Sequence, residues 1–153
     1  MTCMGVKRPP RFIVLIVASA ITFAVADAIA ENYNEYYEQG EFALRVEKWD
    51  RAIQLFSKSL EVNPTLFEAY YNRAIAYSKT GEYDRSIEDL NKAVLLRPEY
   101  AGAYLLMGII YEIKKDYPSA LKFYREAHGR EKDPHLRKLV EKYVQDAEAK
   151  VRK

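Results

Sequence analysis

Apolar positions along the chain fall into two regimes. Phe12 to Ala26 is an uncharged, mostly apolar run, FIVLIVASAITFAVA, whereas from Tyr33 onward apolar residues recur three and four places apart among charged ones. The second regime has the period of amphipathic helices. Tyr70, Ala74 and Tyr77 form one stripe and Ile87, Leu90 and Val94 the next. From Pro134 a further stripe runs through Leu136, Leu139, Val140, Tyr143, Val144, Ala147 and Val151, with charged residues on the remaining surface. Asn63-Pro64 and Arg97-Pro98 stop helices, because the residue before proline is pushed out of helical geometry. Gly81 ends another. Asp50, Asp84 and Pro118 mark helix starts, where negative charge or a missing N–H is tolerated. No strand-like alternation interrupts the series, so the pattern predicts an all-α chain.

The stripes repeat. With Tyr33, Phe67 and Ala101 as equivalent starts, 34 residues apart, Tyr36, Tyr70 and Tyr104 align, followed by Gly40, Ala74 and Gly108. Later in each unit come Trp49, Tyr83 and Tyr117, then Ala52, Ser86 and Ala120, then Phe56, Leu90 and Tyr124. Small residues let two helix backbones approach while the aromatic residues fill the space beside them. A single such unit cannot bury its own apolar face, so the array must stack and must be capped. The helix from Pro134 supplies the cap, with an interface helix for a partner or a second copy as the other reading.

This large–small–aromatic–Ala–large–Pro spacing resembles the tetratricopeptide repeat, and Ala69 to Pro98 matches it best. The resemblance implies three helix-turn-helix repeats, at about 33–66, 67–100 and 101–133, in a right-handed superhelical array closed by a cap helix over 134–152. Two departures stand out: Ala43 replaces the aromatic matched by Tyr77 and Tyr111, and the third unit's proline, Pro134, comes two residues late.

The first regime is read separately. Lys7, Arg8 and Arg11 precede the apolar run, and small-residue sites at Ala24-Val25-Ala26, Ala26-Asp27-Ala28 and Ala28-Ile29-Ala30 follow it, the layout of a secretory signal peptide. Fifteen uncharged residues span only about 22 Å as a helix, short of a hydrocarbon core of roughly 30 Å. A cut after Ala30 is expected, with Ala26 as second choice. The alternative is retention of residues 12–30 as an inner-membrane anchor facing the periplasm. Cys3 lies ahead of the apolar run and cannot be a lipoprotein cysteine, and Arg8 and Arg11 flank two prolines, so no twin-arginine signal is present. The expected compartment is the bacterial periplasm.

Charge and chemistry then narrow the function. The chain has 24 Lys and Arg against 22 Asp and Glu, and residues 31–153 carry 21 of each. That balance lacks the phosphate-neutralising excess that nucleic-acid binding draws on, although Arg125, Arg130, Lys132, Arg137 and Lys138 cluster locally. His128 and His135 have no ligand spacing around them, no serine is paired with a base, and no glycine-rich phosphate loop is present. No cofactor, metal or small-molecule substrate is expected, and no enzyme.

The resemblance points instead to a protein or peptide segment bound in the concave groove lined by the first helix of each unit. Its candidates are Tyr37, Glu38, Glu41 and Arg45, then Glu68, Tyr71, Asn72, Ile75 and Lys79, then Leu106 and Ile109, with Asn34, Leu105 and Ile113 beside them. Tyr37 and Tyr71 follow core positions Tyr36 and Tyr70 at about 100° around the helix, so one of each pair should be exposed. Eight of the thirteen tyrosines fall on repeat-core positions. Cochaperone members hold a terminal carboxylate with a basic and asparagine clamp. Here the corresponding places carry Tyr37, Glu41, Asn72, Gly102 and Leu106, so only Asn72 of that clamp is retained and Glu41 would repel a carboxylate, which argues against that ligand. The expected function is a non-catalytic interaction module or scaffold, the alternative a self-associating array that oligomerises through its end repeats or cap helix.

Overall fold

The computed structural model describes residues 33–152. The leader expected over 1–30 lies outside the described residues, among which no helix is long and apolar enough to cross a membrane. The described residues form seven helices in order: α1 over 33–45, α2 Trp49–Val62, α3 Phe67–Thr80, α4 Tyr83–Leu96, α5 Ala101–Ile113, α6 Tyr117–Arg130 and α7 Pro134–Val151. Among the described residues there is no strand. α1/α2, α3/α4 and α5/α6 form three helical hairpins, and α7 packs on α6.

The hairpin turns share one geometry. Glu47, Gly81 and Lys115, 34 residues apart, are all left-handed, with φ of 59°, 83° and 60°. In each, the next N–H closes on a carbonyl near the end of the first helix: Lys48 to Ala43, Glu82 to Tyr77 and Asp116 to Tyr111, all at 2.9 Å. That bond satisfies a carbonyl the helix end would otherwise leave open. The glycine at 81 was legible as a helix stop; its two equivalents, carrying side chains in the same strained region, were not. The second helices end alike, with Asn63 and Arg97 extended before their prolines. α6 ends at the same register although its proline comes late, because Pro134 serves instead as the first residue of α7. Asp133 caps that start, accepting from the N–H groups of His135 at 2.8 Å and Leu136 at 3.0 Å.

The core runs through the hairpins as three clusters. Phe56, Leu60 and Ala76 centre the first, Leu90, Met107 and Ile110 the second, and Ala120, Tyr124 and Ala147 the third. Buried Ser86 stands where the other units have alanine, and its hydroxyl donates to the carbonyl of Ala74 at 2.7 Å, so burial leaves no polar atom unpaired. Tyr77 and Tyr124 are buried, whereas Tyr36, Tyr70, Tyr83, Tyr104, Tyr111 and Tyr117 are half-buried. The rings of Tyr36, Tyr70, Tyr83, Tyr104 and Tyr111 pack against the core clusters. The cap differs from expectation in one respect. Val140 and Ala147 are buried and Tyr143 and Val144 half-buried, but Leu136, Leu139 and Val151 remain exposed.

Candidate functional site

The first helices of the hairpins adjoin in series, α1 with α3 and α3 with α5. Tyr37 on α1 and Asn72 on α3 meet there, with Asn72 Nδ2 donating to the Tyr37 hydroxyl at 3.1 Å. That hydroxyl in turn donates to Glu41 Oε1 at 2.9 Å. Burial, then the Glu41 carboxylate that accepts its proton, hold the Tyr37 phenol well above its ordinary range. It is a donor at every physiological pH. Glu68 contributes to the same field and pairs with Arg97 at 2.8 Å.

Tyr71 belongs to a different grouping. Its ring stacks on Phe67 at 6.2 Å and meets Tyr100 edge-on at 5.0 Å, while Phe67 meets Tyr100 at 4.8 Å. A Cβ at Gly102 would stand 3.2 Å from the Tyr71 oxygen, so the absence of a side chain there lets the tyrosine cross from α3 to α5. Burial, and then Tyr100, raise its phenol pKa. The expectation that one tyrosine of each adjacent pair would be exposed therefore fails: Tyr36, Tyr37, Tyr70 and Tyr71 are all half-buried. The neighbouring repeat covers the second ring of each pair, which single-helix geometry does not take into account.

The remaining candidates divide between surfaces. Ile75 is half-buried and Lys79 exposed on α3. Leu106 packs on the second core cluster, and Leu105 and Ile109 pack on the third, beneath the cap. Glu38 and Arg45 line a hollow at the amino-terminal end of the array rather than joining the Tyr37 node. Ile113 is exposed.

Periodicity held a signal that identifying the cap left unused. Leu136 and Leu139 lie 34 residues beyond Gly102 and Leu105, so α7 repeats the groove-facing positions of a first helix. The structure joins the four residues in one cleft of about 440 Å³, completed by Tyr100 and Val140 and edged by Arg97, Glu99, Arg130 and Lys132. α7 is thus both the cover of the third hairpin and a fourth wall of the groove. Among the described residues no group of three His, Cys, Asp or Glu side chains could hold a metal ion.

Family models for the tetratricopeptide repeat match residues 67–100 and 101–133, and a TPR repeat model matches 34–81. The chain belongs to the tetratricopeptide repeat family. Among solved structures it is similar to the TPR2B domain of yeast Sti1, solved as a pHsp70 complex, at a TM-score of 0.72 and 21% identity over 78% of this chain and 98% of that one. The Arabidopsis OM64 TPR domain gives 0.71 at 24% identity, over 77% and 98%. MamA gives 0.63 at 26% identity, over 65% of this chain and 58% of MamA, so this chain spans less than two thirds of that one. These likenesses define the all-α superhelical fold. No curated protein matches the sequence.

Proposed function

We propose that this chain is a non-catalytic interaction module that holds an extended segment of another protein in its groove. One observation carries the reading: Glu68, whose charge acts on Tyr37 of the Tyr37–Glu41–Asn72 node, pairs with Arg97 at the edge of the Leu105–Leu136–Leu139 cleft, whose two leucines on α7 are exposed. A solvent-facing pair of leucines in a concave surface is the feature that a docking apolar side chain would cover. The Sti1 domain, which shares the fold, was solved with a partner bound. The carboxylate at Glu41 sets this groove apart from one that holds a terminal carboxylate, since like charges would repel.

The leader places this module, by our reading, in the periplasm, free after a cut at Ala30 or held at the inner membrane by residues 12–30. Mass spectrometry of the mature amino terminus decides between the two, because an intact Met1 would establish the anchor.

Crosslinking and pull-down from the envelope fraction tests the groove. Leu139→Asp, at an exposed position, should leave the helical circular dichroism unchanged and reduce partner capture about tenfold. Capture unchanged by Leu139→Asp and by Glu41→Lys would move the working surface elsewhere. Sedimentation velocity addresses the self-associating alternative, which requires a concentration-dependent species larger than the monomer.

A further inference from the structure

The amino-terminal end of the array carries a second surface, distinct from the groove. Phe42 is 60% exposed, the most exposed aromatic side chain in the core-forming helices, and Val46, one helical turn further on, is 42% exposed. The equivalent positions of the other repeats show what covers this face elsewhere in the array. The residues equivalent to Phe42 in the second and third repeats are Ala76 and Ile110, both fully buried. Ala76 packs with Leu55, Phe56 and Leu60 of α2, and Ile110 packs with Leu90 of α4. In each case the face is covered by the second helix of the preceding repeat. Among the described residues no helix precedes α1 to cover the same face, and α1 presents phenylalanine there rather than the polar surface a terminal repeat needs for solubility.

A vacancy lies next to it. Tyr77 in the second repeat sits under the guanidinium of Arg85, 4.2 Å from the ring centroid. The equivalents in the first repeat are Ala43 and Arg51, so the arginine is kept and the ring is gone. The result is a hollow of about 530 Å³ whose apolar lining is Phe42, Ala43, Val46 and Leu55. Arg45, Lys48 and Arg51 edge it against one carboxylate, Glu38. Among the described residues none of these three cations is paired with a carboxylate.

We propose that this end is a docking seat for an acidic amphipathic helix of a partner protein, which stacks on α1 as α2 stacks on α3 and places a bulky, preferably aromatic, side chain in the hollow under Arg51. Shape sets the helix, because the same face receives helices in the other two repeats. The missing ring sets the anchor, since the kept arginine supplies a cation for an aromatic face. The three unpaired cations set the acidic flank. A second copy of this chain fits less well, because the exposed surface of its cap helix carries Arg137, Lys138, Lys142, Lys150 and Arg152 against only Glu141 and Asp146, a net positive face.

The test uses the full chain and three labelled helical peptides of about 18 residues, long enough to hold a helix on docking. The first carries glutamates flanking an apolar face with one tryptophan, the second has its glutamates replaced by lysines, and the third has the tryptophan replaced by alanine. Fluorescence anisotropy should show the first binding at least tenfold more tightly than either of the others. Phe42→Asp and Arg51→Glu should each weaken it about tenfold, and Leu139→Asp in the groove should leave it unchanged. Equal binding of the acidic and basic peptides, no binding of the acidic peptide, or indifference to Phe42→Asp overturns the proposal. So do two other results: self-association that Phe42→Asp abolishes, which assigns the seat to a second copy, and binding that appears only once residues 1–30 are removed, which assigns it to that segment.

Discussion

The ring of Phe56 occupies the place of the side chain that Gly40 lacks. A Cβ on Gly40 would stand 2.7 Å from Phe56 Cε1, closer than real contacts allow, and Phe56 itself is fully buried. The other hairpins solve the same packing problem in matched sizes: Gly108 faces the larger ring of Tyr124, whereas Ala74 packs with the smaller Leu90. Gly40→Ala should therefore destabilise by about 2 kcal/mol, the overpacking strain exceeding the better helix propensity of alanine. Gly40→Ala combined with Phe56→Leu reproduces the second repeat's pair and should recover more than half of that loss. Urea denaturation of the single and double variants checks both statements.

The left-handed turns give the opposite kind of prediction. Lys115 holds φ at 60° with a side chain, where Gly81 holds 83° without one. Lys115→Gly should stabilise by about 1 kcal/mol and Gly81→Ala should destabilise by a similar amount, because only glycine adopts this region without a Cβ penalty. Thermal melts of the two variants should shift in opposite directions.

Arg73 and Asp89 form a bidentate pair between α3 and α4, with both bonds at 2.7 Å, and Arg73 Nη1 also donates to Ser57 Oγ of α2 at 2.9 Å. Burial alone would lower the guanidinium's pKa, but the Asp89 carboxylate carries it upward. Asp89→Ala leaves a mostly buried arginine without its partner and should cost about 3 kcal/mol. The equivalent positions in the third repeat are Met107 and Phe123, which pack together. Arg73→Met with Asp89→Phe should consequently fold with stability near that of the wild type, and a denaturant midpoint for the double variant below that of Asp89→Ala would refute this account.

The cap should loosen in acid. Glu112 on α5 accepts from Lys150 of α7 and, at 2.6 Å, from the Tyr124 hydroxyl of α6. Those bonds, Lys150 first, hold its carboxyl below its ordinary value of 4.5. A depressed carboxyl contributes stability that is present above the unfolded pKa and lost as pH falls through the folded one. Stability should thus fall as pH drops below about 4.5 in the wild type, and the part of that fall due to this group should be absent from Glu112→Gln. Urea titrations at neutral pH and near pH 3 measure the difference.

Much of the fold could be read from the 34-residue spacing, because packing between helices demands small and large residues at fixed intervals, such as Gly40 with Phe56. The site was less legible, for three reasons that lie in the tertiary structure. Tyr71 reads as a free groove residue on its own helix, yet Phe67 and Tyr100 enclose it. Leu136 and Leu139 read as buried cap residues because a stripe gives spacing and not which neighbour is absent. The open face at Phe42 depends on which helix packs beside α1, and among the described residues none does, a relationship that the stripe on α1 itself does not record.

The Arg73–Asp89 pair also bears on assembly. Three hairpins with nearly interchangeable stripes could dock in the wrong order during folding, α2 against α5 as readily as against α3. A mispaired α3 would bury Arg73 opposite an apolar position, at a cost of about 3 kcal/mol. The middle hairpin thus carries a charge that acts as an address within the array. Refolding of the Arg73→Met, Asp89→Phe chain should yield a larger share of domain-swapped or misdocked species on sedimentation than the wild type does, even where its equilibrium stability is equal.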